Sequence, residues 1–216
     1  MRLNKEPASR MASCLLSRQP LWLLSLVLIV QFSGCTTTST EDDNTTNTFI
    51  TVVSVNAVAG DFTEGQESDF LNSDVCASDE DNPPCTVFND NAIVTFEGRP
   101  KDLTSLSSPT NDVVFERYRV TYIRSDGQNV PGVDVPFPFD GVSSFRVTSD
   151  ATEVERAFVV VRHQAKRETP LREISENSAG ILSVLAQMDF FGRDGAGRNI
   201  QVTAFLNITF ADFANE

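Results

Sequence analysis

Apolar and polar side chains alternate most strictly near the C-terminus. In Ile200, Val202, Ala204, Leu206, Ile208 and Phe210 every even position is apolar, whereas Gln201, Thr203, Asn207 and Thr209 are polar. Only Phe205 breaks the outward set. Leu182, Val184, Ala186, Met188 and Phe190 repeat the pattern just upstream. Such period-two alternation sets one face of a strand on a core and the other in water. Between the runs lies Gly192-Arg193-Asp194-Gly195-Ala196-Gly197, whose turn-forming residues predict an antiparallel hairpin.

Shorter runs carry the same period. Ala92, Val94 and Phe96 form one, and Tyr118, Val120 and Tyr122 another. Phe145 and Val147 predict a brief strand, and the β-branched stretch 49–58 predicts the first. Ala157 to Arg162 is apolar on both faces, as in a strand covered on both sides. One helix is predicted, over 170–177, with Thr169 as N-cap and Pro170 at its first position. Seven strands with almost no helix predict an all-β, antiparallel β-sandwich, with a barrel as the alternative. The order suggests an immunoglobulin-like or fibronectin-III-like domain. The Cys…Trp…Cys core and the tyrosine corner of true immunoglobulin domains are missing from the sequence.

Two segments exceed a minimal sandwich. Residues 60–88 read as one long acidic loop between the first two strands. In 130–141, Pro131, Pro136 and Pro138 interleave with Val133, Val135, Phe137 and Phe139. Proline cannot donate to a central ladder, so this segment predicts an edge strand or a polyproline-like lid.

The N-terminal region has a different pattern. Arg18 precedes the apolar run Leu21 to Val30, and Phe32-Ser33-Gly34-Cys35 follows. A charged lead, an apolar run and small residues before a cleavage point make an export signal. The twelve residues from Leu21 to Phe32 are too few for a spanning helix, which needs roughly 20. With Cys35 as first mature residue, the motif resembles the lipobox of bacterial lipoproteins. The resemblance implies cleavage before Cys35, a diacylglycerol thioether on its sulfur and N-acylation. Thr36 rather than Asp follows it, which by the same resemblance favours the outer membrane. The expected organisation is a signal peptide over 1–34, a flexible Thr/Asn-rich acidic tether over 35–48 and one sandwich domain over 49–216. A start at Met11 in place of Met1 would give a leader of 24 residues. Trp22, the one tryptophan, falls inside the leader either way. At about 5–6 Å × √n, the tether would hold the domain about 20 Å from the lipid.

Charge narrows the partners. The chain carries a formal charge of −13. From Cys35 to Gly98 there are thirteen acids and no Lys or Arg; from Arg99 onward, thirteen bases face sixteen acids. An acidic face repels phosphate backbones, so no nucleic-acid partner is expected. Cys76 and Cys85 are the remaining mature cysteines nearest one another, and an exported chain would join them as a disulfide. Their ten-residue loop would stabilise the fold by roughly 2.5–3 kcal/mol. Asp74, Asp79 and Asp81, in or beside that loop, are candidate Ca²⁺ ligands, since hard cations take clustered carboxylates. The stretch lacks the glycine and distal Glu of an EF-hand loop.

Catalytic signals are weak. The single histidine, His163, has no neighbouring nucleophile elbow. Gly192-x-x-Gly195-x-Gly197 opens no helix, so it reads as a hairpin tip rather than a phosphate loop. Three stretches, Arg117-Tyr118-Arg119-Val120-Thr121-Tyr122, Val159-Val160-Val161-Arg162-His163 and Phe190-Phe191-Gly192-Arg193-Asp194, are similar to uncharacterised bacterial lipoproteins with a single sandwich domain. The likeness covers residues 87 to 213. It implies fold and location, and it carries no catalytic motif. The expected function is a lipid-anchored cell-envelope protein with a non-enzymatic interaction or structural role, contacting a membrane through its lipid and an envelope or surface protein through Phe205 and the apolar members of 133–139. A calcium-binding or carbohydrate-binding surface module is the alternative.

Overall fold

A computed structural model describes residues 46–60, 68–76, 86–102, 104, 108–177 and 180–213. Among them are eight strands: β1 (Thr48–Val58), β2 (Phe70–Asp74), β3 (Asp90–Pro100), β4 (Val113–Ile123), β5 (Phe139–Val147), β6 (Glu153–Val161), β7 (Leu182–Asp194) and β8 (Asn199–Ala211). A 3₁₀ turn, Ala165–Arg167, and one helix, α1 (Leu171–Asn177), lie between β6 and β7. The strands form two sheets in a sandwich-like arrangement. One is three-stranded, β1-β3-β6; the other is five-stranded, β2-β8-β7-β4-β5.

The alternation seen in the sequence is the register of the sheets. β7 and β8 pair antiparallel from Leu182↔Phe210 to Arg193↔Asn199. Their even-numbered apolar residues are buried, apart from partly buried Val202, while Phe205 faces water at 52% exposure. The tip turns at Gly195–Arg198. Asp194 Oδ1 accepts the N–H groups of Ala196 (3.0 Å) and Arg198 (2.9 Å), and Gly197 takes φ +81°.

The core between the sheets is aromatic. Phe96 of β3 and Phe158 of β6 meet Phe190 of β7 at centroid distances of 5.0 and 4.7 Å. Phe115 of β4 and Phe145 of β5 stack at 5.1 Å and both reach Phe96. Each such pair adds about 0.5–1.5 kcal/mol beyond its area burial, so this layer ties one sheet to the other without tryptophan. Two tyrosines add polar ties. Tyr122 of β4 donates to the Val160 carbonyl (2.8 Å), and Tyr118 donates to that of Val159 (3.2 Å).

Several expectations are corrected. The five-stranded sheet is mixed, because β2 pairs in parallel with β8, from Phe70↔Asn207 to Asp74↔Ala211. β2 lies inside the stretch read as one loop. Its five residues are too few to show a period, so the sequence hides it. β6 is an edge strand, and its outer face is not covered: Ala157 is exposed and Val159 only partly buried. Its ladder with β3 steps from Asn91↔Val159 to Asp90↔Val161, leaving Val160 as an extra residue. That bulge turns both Val160 and Val161 inward. The brief strand at 145–147 is the end of the longer β5, an edge strand that begins inside the proline-rich segment. There Val135 and Phe139 join the core, whereas Val133 and Phe137 are exposed. Thr169 does not cap α1. Its hydroxyl donates to the Gly132 carbonyl (2.6 Å) and ties the lid to the helix approach. Thr46 and Thr48, in the stretch read as tether, are buried, and the Thr48 hydroxyl donates to the Asn111 carbonyl (2.7 Å).

Candidate functional site

Cys35, Cys85, Asp79 and Asp81 lie outside the described residues. Cys76 follows β2, at the foot of the strand that the sequence did not reveal. Asp74, the last residue of β2, is buried. Its Oδ1 accepts the N–H of Cys76 (3.0 Å) and of Phe213 (3.4 Å). The carboxylate therefore fastens the exit of β2 to the end of the chain. Among the described residues, no three His, Cys, Asp or Glu side chains gather as a metal site would require. His163 sits against Asn89 rather than an acid: its N–H donates to Asn89 Oδ1 (2.6 Å), and its Nδ1 lies 3.1 Å from the same oxygen.

Two polar regions stand out, at opposite ends of the sandwich. The first is inside. Asp90 opens β3, and Lys166 comes from the 3₁₀ turn. Lys166 Nζ lies 2.9 Å from Asp90 Oδ2, with the side chains only 2% and 1% exposed. The Ser73 hydroxyl of β2 donates to Oδ2 (2.6 Å), and the Gly60 N–H donates to Oδ1 (2.9 Å). Burial raises the pKa of Asp90, while Lys166 and the hydrogen bonds from Ser73 and Gly60 pull it back down. Burial pushes the nearby Tyr122 phenol far up, with the Arg162 guanidinium opposing. A buried charge pair holds only when its remaining lone pairs are satisfied, and here the end of β1, β2, β3 and the β6–α1 connection each supply a group. The knot is a clasp. Its Ser73 is fully buried and spends its proton on a carboxylate, so it is not placed to attack a substrate. Sequence reading missed Asp90 and Lys166; a lysine among His163, Gln164, Arg167 and Glu168 looks like one more solvated charge and gives no signal of its buried partner.

The second region is outside. β4 carries a bulge where the ladder steps from Phe115↔Gly192 to Arg117↔Phe191, leaving Glu116 extra. Beside it a cleft of about 260 Å³ is lined by Glu116, Arg117, Phe191, Arg193, Asn199 and Gln201, among others. The Arg117 guanidinium lies 3.9 Å from the Phe191 ring centroid. Arg193 pairs loosely with Glu116 at 3.6 Å, both side chains more than half exposed. An adjoining cleft of about 380 Å³ shares Glu116 and Arg193 and adds Arg146. At its margin Asp112 Oδ1 accepts the Ser149 N–H (3.1 Å). Next along β7, Asp189 accepts from Gln187, Gln201 and Thr203, the last at 2.7 Å. No signal in the sequence pointed to this cleft: Arg193 read as part of the hairpin tip, and Arg117 as a neighbour of the alternating run from Tyr118 to Tyr122. No protein-family model matches the chain, and no curated protein matches its sequence.

Proposed function

We propose that this protein is a lipid-anchored component of a bacterial cell envelope, with a non-enzymatic interaction or structural role carried by one fibronectin-III-like sandwich domain. The observation that carries the reading is Phe32-Ser33-Gly34-Cys35 directly after an apolar run too short to span a membrane. Two acyl groups on the thioether and a third on the amine bury far more methylene than a single chain, at about 0.8 kcal/mol per CH₂. Attachment is then stable, and the outer membrane is its favoured site. The strand order supports the fibronectin-III-like reading over an immunoglobulin-like one, because among the described residues no fourth strand lies beside β6 and β5 joins β4 instead. β1-β3-β6 follows the A-B-E order, and β8-β7-β4-β5 follows G-F-C-C′. The use of the buried polar groups supports a non-enzymatic role: Asp90, Lys166, Ser73 and Asp74 all hold chain segments together. In an oxidising compartment Cys76 and Cys85 pair as a disulfide.

The test is the Cys35→Ser variant, expressed beside the native chain and fractionated. The native chain partitions with membranes, and its N-terminal peptide carries the mass of the acyl groups. The variant loses that mass and is not processed at residue 35. An acyl-free native N-terminus would overturn the reading.

A further inference from the structure

We propose that the outer cleft at the β4 bulge is a binding site for an acidic polysaccharide whose sugar rings carry carboxylates. The argument begins with charge. The whole chain is at −13, yet this trough presents Arg117, Arg193 and Arg146 against one exposed acid, Glu116. The other two carboxylates at its margin are withdrawn. The Asp112 side chain is 10% exposed and holds the Ser149 N–H; that of Asp194 is 0% exposed and holds Arg198 at 2.7 Å. Among the described residues no carboxylate forms an ion pair with Arg117. Its guanidinium instead sits over the Phe191 ring, 3.9 Å from the centroid, a cation–π contact that favours this placement of the group before any ligand arrives. Arg193 and Arg146 are paired only at 3.6 and 3.9 Å, with side chains 60% and 62% exposed. A ligand carboxylate can displace such contacts at little cost.

The geometry suits a chain of rings. Arg146 opposes Val114, and Val114 opposes Arg193. The two guanidinium groups therefore start from one row, two strands apart, roughly 10 Å at the usual strand spacing. Arg117 lies in the next row, one strand over. Two adjoining clefts with spaced arginines match a polymer with spaced carboxylates. Asn199 and Gln201 supply side-chain amides for ring hydroxyls.

Other polyanions fit less well. An acidic peptide adding as a strand needs a sheet edge, and the cleft at the bulge lies over β4, β7 and β8, all internal, with only Arg146 of the adjoining cleft on the edge strand β5. It also offers few apolar anchors, since Ile200 is 2% exposed and Phe191 lies under Arg117. Nucleic acid concentrates about one charge per 1.7 Å of duplex, which a chain at −13 repels more strongly than a polymer with one charge per ring.

The experiment titrates the purified full chain, in detergent micelles, with polygalacturonate at low salt, using neutral dextran and polyglutamate as comparison ligands. The expected result is saturable binding of polygalacturonate, weakened by added salt. The double variant R117Q/R193Q weakens it about tenfold or more, the loss expected from removing charge-assisted contacts. R146Q weakens it by a smaller factor. R124Q, outside the cleft, leaves it unchanged. All three variants replace partly exposed side chains and retain the native melting temperature within a few degrees, so loss of binding is separable from loss of fold. The proposal is overturned if the native chain does not bind polygalacturonate, if R117Q/R193Q binds as well as native, or if dextran or polyglutamate binds equally tightly. None of these outcomes depends on Cys35, so the lipid anchor and the glycan site stand or fall separately.

Discussion

Asp90 with Lys166 and Glu116 with Arg193 are both acid–base pairs, and they behave as opposites. The first is at 2.9 Å with its side chains almost wholly buried; the second is at 3.6 Å with both more than half exposed. Around the first, Ser73 and Gly60 fill the remaining acceptor sites. Around the second there is open cleft. Desolvation makes the buried pair indispensable once formed, because removing one partner strands the other. Screening makes the exposed pair worth little to stability and leaves its groups available to a ligand. The same two chemical groups thus hold the fold at one end of the sandwich and face the outside at the other.

The largest effect should come from splitting the inner pair. Lys166→Met leaves an uncompensated carboxylate and should cost about 3–5 kcal/mol, read as a lower midpoint in urea unfolding of the full chain. Combining it with Asp90→Leu should recover much of that loss, since the stranded charge is then gone. If the double variant is no better than the single, packing rather than charge dominates the clasp.

A steric break at the other edge of the core comes next. The side chain added by Gly141→Ala would collide with the Tyr118 ring across the β4–β5 pair. Overpacking of this kind costs about 1–3 kcal/mol, and Tyr118→Leu in the same chain should relieve part of it. An unchanged melting temperature in the Gly141→Ala protein would show that the strands part freely there.

Tyr122→Phe should cost about 1 kcal/mol at neutral pH, the worth of its bond to the Val160 carbonyl. Alkali sharpens the comparison. Burial raises the folded-state pKa of Tyr122 above its ordinary value of 10.0. The unfolded chain therefore loses that proton first. The stability it contributes is intact below pH 10 and declines as the pH rises beyond it. Tyr122→Phe should lose less stability between pH 9 and 11 than the native chain. Parallel stability curves across that range would contradict the burial argument.

The smallest effect is expected at the outer pair. Glu116→Gln should change stability by less than about 0.5 kcal/mol, while removing the one exposed acid that competes for Arg193. Chemical denaturation should find the variant and the native chain nearly superimposed. A loss above 1 kcal/mol would mean that the surface pair also carries the fold.

The strands of this protein were legible wherever one face is wet and the other buried. Ile200 to Phe210 and Tyr118 to Tyr122 read correctly because a residue's polarity there depends only on its own side of the pleat. Legibility failed where partners distant in the chain set the role. Thr169 looked like a helix cap, and the Gly132 carbonyl took its proton. Val160 and Val161 looked like two faces of a covered strand, and a bulge turned them the same way. The conspicuous candidate Asp74 proved to secure backbone N–H groups from Cys76 and Phe213, while Arg193, read as part of a hairpin turn, stands on β7 facing Glu116.

Alternation and turn chemistry by themselves determined that the chain would be rich in β-strand, with a hairpin between 182 and 211 and a core built on phenylalanine. Those features follow from short-range polarity, which each residue carries with it. Only the tertiary structure decided that β2 joins β8 in parallel, that Lys166 meets Asp90 across 76 positions of sequence, and that three arginines share one trough. Such contacts depend on where the backbone brings distant segments, and water excluded from one meeting place and admitted to the other gives the same charges their different parts.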